Sequence, residues 1–359
     1  MKLKKSQVFT LGLVLIAVFI HMYSGDPIRV ENQYANGYFR AISQFLRSLF
    51  GWLPFSFGDV LYGLVIIWLI WKLVKGIKLV FKKQLTKPIL AAGARQAIHI
   101  ILATYILFNG FWGINYNRIG IADQLQLKMD KYSLADLKII NGLLLQKTNV
   151  AKQALVNSPI GHLSNRQLFT KVQQTYQQAE QVYPFLKYQT ISIKPSLWSW
   201  FGNYLGFTGY YNPFTGEAQV NTLVPHFLQP FTTCHEVAHQ LGYAKEMEAS
   251  FVAYLAATAS TDTLLQYSVY LELFIYSNRN LFESDSLASK AFVKQLIPAV
   301  KADLMEWKLF YKKYRNPVEP VIRWIYGKYL EGNQQPQGIL SYDAVTGFII
   351  ASYKKKGKI

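Results

Sequence analysis

The sequence predicts a membrane protein in which N-terminal apolar helices are followed by a mainly α-helical, α+β domain with a small sheet. Hydrophobic residues make up 51% of the 359 residues and aromatic residues 15%, a composition that excludes a disordered chain. Long uncharged runs occur within residues 1–117, whereas residues 118–359 show apolar positions spaced three to four apart. We therefore predict a membrane domain, 1–117, and an extramembrane domain, 118–359.

The first predicted span covers about residues 6–25. This run has no Lys, Arg, Asp or Glu and includes "VFTLGLVLIAVFI". A helix of this length can cross about 30 Å of hydrocarbon. The basic start "MKLKK" would also fit a cleaved signal peptide, but "HMYSGDP" offers no small-x-small cleavage site. An uncleaved anchor is therefore favoured.

Two further spans are predicted at about residues 56–76 and 97–116. The second span has a short uncharged centre, "VLYGLVIIWLIW", and requires the side chains of Lys72 and Lys75 to reach towards the headgroups. It fits either a tilted span or a buried helix. Residues 97–116 carry no formal charge, and their aromatic residues crowd towards the end, as at a headgroup belt.

The basic residues predict the orientation of these spans. The chain has 38 Lys and Arg against 20 Asp and Glu, a net charge of +18. The segment 72–95 contains seven basic residues and no acidic one. Because basic loops remain in the cytoplasm, the N-terminus and this segment are predicted to be cytoplasmic and everything after residue 116 to be outside. Topology thus explains part of the charge, so we expect membrane lipid and no nucleic acid as a partner.

In the extramembrane domain, helices are predicted at residues 134–153, 165–183 and 264–276. Residues 188–196, "YQTISIKPS", alternate like a strand, and residues 206–224 have strand-forming residues on both sides of turn signals. The small sheet is therefore expected immediately before "HEVAH". The single cysteine, Cys234, excludes an intrachain disulfide.

The stretch "TTCHEVAHQLGYAKEMEAS", residues 232–250, contains the candidate chemistry. His235 and His239 are four apart, so on a helix they lie on one face and can present two imidazoles to one ion. A catalytic zinc ion binds imidazole nitrogens at about 2.0 to 2.1 Å and adds a third protein ligand and a water. Glu236 is then placed as the general base of the H-E-x-x-H metalloprotease arrangement. The pattern predicts one zinc ion and peptide-bond hydrolysis.

The third ligand is predicted to come from the residues after the motif. Gly242 can end the helix in a left-handed conformation and let a second helix begin at about Lys245. Glu246 or Glu248 would then reach the ion. Glu246 is favoured because Ser250 follows it by four residues, a relation similar to the "ExxAD" element of membrane-associated gluzincins, with serine in place of aspartate. Ser250 is then expected to support a ligating histidine. A metzincin would have a histidine at Lys245, which excludes that class.

Residues 216–221, "GEAQVN", are the candidate sheet edge for a peptide substrate, because zincins commonly bind substrate as an added strand. Glu217 and Asn221 are candidates for contacting substrate or the metal ligands, with the alternative that they only complete a turn and a strand. Stabilising an oxyanion requires a Tyr, His or Arg near the zinc. The sequence offers Tyr210, Tyr211, Tyr270, Tyr276 and His226 without distinguishing among them.

The chain resembles a bacterial family of uncharacterised function that has three N-terminal transmembrane helices and an extracytoplasmic HExxH domain. The resemblance rests on "NPFTGEAQVN", "HEVAHQLG" and "EMEAS" and extends to the closing "SYDAVTGFIIASY". It implies a zincin-like, gluzincin-type domain with metal and catalytic positions at His235, Glu236, His239 and either Glu246 or Glu248. It also implies a multi-pass protein of the bacterial inner membrane whose domain lies in the periplasm or outside the cell.

The predicted function is a membrane-anchored zinc metalloendopeptidase acting on extracytoplasmic proteins or peptides. The alternative is a zinc-binding pseudo-enzyme or interaction module of the cell envelope, against which the intact Glu236 argues. An intramembrane protease is disfavoured, because a span needs about 20 apolar residues and Lys245, Glu246 and Glu248 follow the motif closely. The substrate identity and the oligomeric state are not predicted by the sequence.

Overall fold

The computed structural model describes residues 5–158 and 163–359, and these are mainly helical with few strands. The α-helices are α1 (Lys5–Ser24), α2 (Pro27–Arg29), α3 (Arg40–Phe50), α4 (Phe57–Phe81), α5 (Lys87–Phe111), α6 (Ile121–Gln124), α7 (Leu134–Val156), α8 (Asn165–Val182), α9 (Ser199–Leu205), α10 (Gln229–Gln240), α11 (Glu246–Ala259), α12 (Thr263–Ser284), α13 (Ser286–Lys294), α14 (Pro298–Tyr314), α15 (Glu319–Gly332) and α16 (Val345–Lys356). The strands are β1 (Ile193–Pro195), β2 (Gly209–Asn212) and β3 (Glu217–Val220). A π-helical segment, Val30–Phe39, joins α2 to α3.

The long helices α1, α4 and α5 expose much of their apolar surface. Among the described residues, α1 and α5 are the two helices with the length and composition of a membrane span. α4 is equally long, but Lys72, Lys75 and Lys78 lie in its C-terminal half. Three spans were predicted, and two of the three helices meet this criterion.

The boundaries of these helices differ from the predicted ones. α4 continues to Phe81 and α5 begins at Lys87, so only residues 82–86 connect them and most of the predicted basic loop is helical. Lysine and arginine are good helix formers, and a search for uncharged runs therefore begins a helix too late. α5 ends at Phe111, and a 3-10 turn, Gly113–Asn117, replaces the predicted last part of the third span.

The core of residues 118–359 is formed by α7, α8, α10, α11, α12 and α16 together with the sheet. The predicted helices at 134–153, 165–183 and 264–276 are confirmed as α7, α8 and part of α12. The first two begin at capping boxes: the hydroxyls of Ser133 and Ser164 accept from the backbone amides three residues on, and the side chains of Asp136 and Gln167 accept from the backbone amides of the two serines. α10 lies at the centre and is buried along its whole length.

The sheet has the order β1-β3-β2, with β1 parallel and β2 antiparallel to β3. Residues 216–221 were predicted as the sheet edge, and this prediction is wrong because β3 is the central strand. All four residues of β3 are buried, as expected of a strand with neighbours on both sides. The sequence did not reveal this, since β1 has only three residues and strand pairing is not visible in a local pattern. The edge strand beside α10 is β2.

Candidate metal centre

The motif residues lie on α10 and the segment that follows it. The rings of His235 and His239 are 4.7 Å apart between centroids and nearly perpendicular, at 89°, on one face of the helix. Gly242 adopts φ +91°, a left-handed conformation that favours glycine, and there the chain reverses. α11 then begins at Glu246 and packs against α10. The predicted reversal at Gly242 and the second helix are confirmed.

This reversal brings Glu246 to the two histidines. Its Oε2 lies 3.0 Å from Nε2 of His235 and 3.5 Å from Nε2 of His239. One ligand atom from each of these three buried residues lies within 4.8 Å of the other two. The cluster of His235, His239 and Glu246, here termed the metal centre, could therefore hold a metal ion.

The outer atoms of all three residues are held by neighbours. Nδ1 of His239 lies 2.7 Å from the carbonyl oxygen of Tyr243, and because a carbonyl only accepts, this nitrogen carries the proton. The Ser250 hydroxyl is 3.2 Å from Nδ1 of His235, as predicted for a supporting residue. Tyr326 donates its hydroxyl proton to Oε1 of Glu246 at 2.7 Å. Such contacts fix the tautomer and orientation of ligating side chains in metal sites.

The electrostatics of the metal centre call for a cation. Because Nδ1 of His239 carries the proton, a neutral His239 ring would direct the lone pair of Nε2 at the Glu246 carboxylate. Two acceptors would then face each other, at 3.5 Å. Burial lowers the pKa of His239, but the charge of Glu246, its hydrogen bond and the charge of Glu236 outweigh burial and raise the pKa to about 9. For Glu246, burial raises the pKa, but the two histidines outweigh burial and hold the pKa of this carboxyl well below its usual range. A divalent ion would satisfy the same carboxylate and both Nε2 atoms.

Glu236 lies beside the metal centre without a partner of its own. Its Oε2 is buried and has no hydrogen-bond partner among the described residues. Burial raises the pKa of this carboxyl to about 8, against the lowering effect of His239. A Cβ at Gly209 of β2 would lie 2.8 Å from Oε1 of Glu236, so only glycine lets the strand approach this closely. An unpaired buried carboxylate is costly, and its presence next to two histidines and a glutamate fits a site that binds a metal ion and water.

Glu248, the alternative third ligand, lies elsewhere. A Cβ on Gly120 would be 2.5 Å from its Oε1, which places the carboxylate against the segment that leads into α6. Burial raises its pKa, while the charges of Lys245 and Arg118 lower it. The structure brings Glu246, not Glu248, to the histidines.

The structure does not bring Glu217 and Asn221 to the metal centre. The Glu217 carboxylate accepts hydrogen bonds from the backbone amides of Phe57 and Gly58 at 3.1 and 2.6 Å and so caps α4. The Asn221 side chain donates to Asn203 at 2.8 Å and accepts from the amide of Leu223 at 3.0 Å. Asn221 thus holds the turn after β3, which is the second of the two roles considered for it. The Glu217 side chain has neither of those roles, because it caps a helix that is distant in sequence.

The tyrosines and the histidine considered for oxyanion stabilisation are dispersed. Tyr210 bonds Asp59 at the start of α4, and the ring of Tyr211 packs on Trp112. Tyr270 lies on α12 below the ammonium group of Lys147, and the backbone of His226 takes part in the turn before α10. Tyr276 contacts the ring of Tyr342 at 6.4 Å.

Three aromatic residues that border the metal centre were missed. The ring of Tyr342 stacks on His235 at 6.0 Å and 20°, and Trp112 meets His239 edge to face at 5.8 Å. Tyr326 is the third, through its bond to Glu246. They lie some eighty to more than one hundred residues from the motif, and among 24 tyrosines and 8 tryptophans no local spacing distinguishes them.

Residues 34–350 match the model of a family described as a protein of unknown function, DUF3810. The chain belongs to this family. The matched range includes α4, α5 and every residue of the metal centre, so the resemblance to an uncharacterised family is confirmed over most of the chain. No curated protein and no solved structure matches the chain.

Proposed function

We propose that the chain is a membrane-anchored, zinc-dependent peptidase. The observation that supports this most is the convergence of His235, His239 and Glu246 beside the unpartnered carboxylate of Glu236. Two histidines and a glutamate form a ligand set of catalytic zinc sites, which leave one position open. A site that only stabilised the fold would have no use for a fourth, unpaired buried carboxylate.

Each residue has a defined task in this proposal. Bound zinc would polarise the scissile carbonyl and lower the pKa of a water molecule. Glu236 accepts the proton of the attacking water at its free Oε2 and returns it to the leaving amine. Tyr342, whose ring lies on His235, is the tyrosine best placed to donate a hydrogen bond to the developing oxyanion.

The edge of β2 offers a place for an extended peptide. The carbonyl of Thr208 accepts a hydrogen bond from the amide of Asn221 at 2.8 Å. Because antiparallel pairs alternate, the main chains of Gly209 and Tyr211 then face away from β3, towards the open edge. Gly209 lies directly against Glu236. A peptide that adds to β2 as a further strand would therefore pass the general base.

We also propose that α1, α4 and α5 all cross a bacterial inner membrane and that residues 118–359 lie on the periplasmic or outer side. The basic residues between 72 and 95 favour a cytoplasmic location for the connection between α4 and α5. α4 begins and α5 ends at the extramembrane domain, where Glu217 caps the first helix and Trp112, just after the second, contacts His239.

The test is a comparison of purified wild type with Glu236→Gln, using a peptide mixture and a zinc assay on the same samples. The expected result is cleavage by the wild type, a loss of about 10²- to 10⁴-fold in the variant, and equal zinc content. The exposed Glu283→Gln is the matched control and should behave as wild type. Equal cleavage by Glu236→Gln would contradict the proposal. Zinc binding without any cleavage would instead support the binding module.

A further inference from the structure

Two neighbouring helices expose apolar side chains beside the ends of α4 and α5 that meet the extramembrane domain. α9 and the residues before it expose Leu197, Trp200 and Phe201, and α15 exposes Val321, Trp324 and Ile325. The relative exposure of these six side chains is between 50 and 64%. We refer to them as the apolar face. A group of large apolar side chains in water is costly and marks an interaction surface.

α9 begins alongside α4. The indole nitrogen of Trp198 donates to the carbonyl of Asp59 at 3.2 Å, and its ring lies 3.3 Å from the Cβ position of Gly63. Gly63 is six residues after the start of α4, which corresponds to about 9 Å along the helix axis. α9 therefore lies level with the first turns of an apolar helix.

α15 packs in the same way against the end of α5. The ring of Tyr329 meets Phe108, in the last turn of α5, edge to face at 6.2 Å. The Tyr329 hydroxyl is 3.1 Å from that of Tyr116, just after α5. α9 and α15 also contact each other, because Asn316 donates to the carbonyl of Tyr204 at 2.7 Å and Glu319 lies against Gly206. α9 and α15 therefore lie beside the ends of α4 and α5, two helices that expose much of their apolar surface.

Basic residues border the apolar face. Lys312, Lys313 and Arg315 lie at the end of α14 and in the connection to α15, and all three are exposed. An apolar helix surface next to lysine and arginine is the composition of helices that lie in a membrane interface, where the basic groups reach anionic headgroups.

We propose that the apolar face binds the lipid bilayer, with α9 and α15 lying in the headgroup region of the leaflet on the side of the extramembrane domain. The occupant is lipid and not a protein, because the face adjoins the helices that cross the same bilayer. Such helices enter the membrane by about 5 to 10 Å. This inference rests on the membrane location proposed above, and it does not depend on peptide hydrolysis.

The consequence concerns which substrates reach the metal centre. α15 also carries Tyr326, which donates to Glu246, so a helix bound to lipid borders the metal centre directly. Trp112, one residue after α5, contacts His239 from another side. Lipid binding would thus hold the metal centre at the membrane surface. This further consequence rests on the proposed peptidase function: its substrates would be polypeptides cut close to the point where they leave or attach to the bilayer.

The test measures lipid contact with a fluorophore on single introduced cysteines in the full-length protein. Ile325→Cys and Phe201→Cys lie on the apolar face, Ile101→Cys lies within α5, and Leu287→Cys, 79% exposed on α13, is the distal control. Each is labelled with an environment-sensitive dye and reconstituted into phosphatidylcholine and phosphatidylglycerol vesicles that contain lipid spin-labelled near the headgroup, for the apolar face, and in the middle of the acyl chain, for Ile101→Cys. Cys234 is fully buried, and the mock-labelled wild type gives its background.

The expected result is strong quenching at Ile325→Cys, Phe201→Cys and Ile101→Cys and none at Leu287→Cys. Quenching of Ile101→Cys alone would overturn the inference and leave the proposed membrane location intact. Labels on the apolar face that are shielded from aqueous iodide but not quenched by lipid would also overturn it, because a protein would then cover the face. If Ile101→Cys is not quenched either, both the inference and the membrane location fail.

Discussion

The two glutamates of the first turn of α11 belong to two buried polar clusters of different kinds. Glu246 belongs to the metal centre. Glu248 lies with Glu31, Arg118, Gln124 and Tyr243, here termed the Arg118 cluster. Both glutamates are 3% exposed, so burial does not distinguish them.

The partners within each cluster do distinguish them. Arg118 binds Glu31 through two hydrogen bonds, at 2.9 and 2.6 Å, and donates to the carbonyl of Gly242 at 3.2 Å. Gln124 donates to Glu31 and accepts from Tyr243, so donors and acceptors match. In the metal centre, by contrast, two imidazole Nε2 atoms and a carboxylate converge beside an unpartnered Glu236. A cation site is therefore recognised by acceptor atoms that converge without enough donors to pair with them. Residue type and burial alone do not distinguish the two clusters.

Arg118→Ala, in the Arg118 cluster, should have the largest effect on stability. It leaves the Glu31 carboxylate buried without its cation, and removing one partner of a buried pair costs about 3 to 5 kcal/mol. Chemical unfolding in detergent, followed by intrinsic fluorescence, measures this loss. The exposed Arg166→Ala on α8 is the control and should unfold as wild type. If the two variants unfold alike, the Arg118 cluster is not structural.

The second change is Gly242→Ala, at the residue that lies between the two clusters. A Cβ there would be 3.0 Å from Phe39 and 3.1 Å from Arg118, and the residue has a positive φ. We expect a loss of about 1 to 3 kcal/mol in the free energy of unfolding. Gly332→Ala, which meets no atom within 4 Å, is the control for the same measurement. Equal stability of the two variants would show that the reversal at Gly242 tolerates a side chain.

Tyr326→Phe tests the support of Glu246 in the metal centre. It removes the hydroxyl that holds Oε1 of Glu246, and loss of such a support lowers metal affinity by about 10- to 100-fold. Chelator competition measures the affinity for zinc, and stability should change little. Tyr311→Phe, on the exposed side of α14, is the matched control. Unchanged affinity would mean that Tyr326 only packs beside the carboxylate.

Ser250→Ala should have the smallest effect. The hydroxyl is uncharged and lies 3.2 Å from Nδ1 of His235, so its removal should weaken zinc binding by about tenfold, the lower end for such supports. The same chelator competition measures it. A loss of zinc affinity as large as that caused by removing a histidine ligand would show that Ser250 has a more direct role in zinc binding than its contact with His235.

The sequence predicted the metal centre better than it predicted its surroundings. Helix periodicity places His235 and His239 on one face, and Gly242 is a local signal, so these parts follow from spacing alone. Local spacing does not report which strand is central, and the edge was therefore assigned to β3 instead of β2. Tyr326, Tyr342 and Trp112 reach the metal centre through tertiary packing. Their positions depend on where α15 and α5 end, which no pattern near the motif encodes.

The central claim is that Glu246, and not Glu248, completes a zinc site with the two histidines. Zinc content and affinity of wild type, Glu246→Gln and Glu248→Gln, measured after dialysis against a weak chelator, test it most directly. We expect about one zinc per wild-type chain, near-complete loss in Glu246→Gln, and retention in Glu248→Gln despite a lower unfolding midpoint. Zinc retained by Glu246→Gln and lost from Glu248→Gln, or absent from the wild type, would show that Glu246 is not the third ligand.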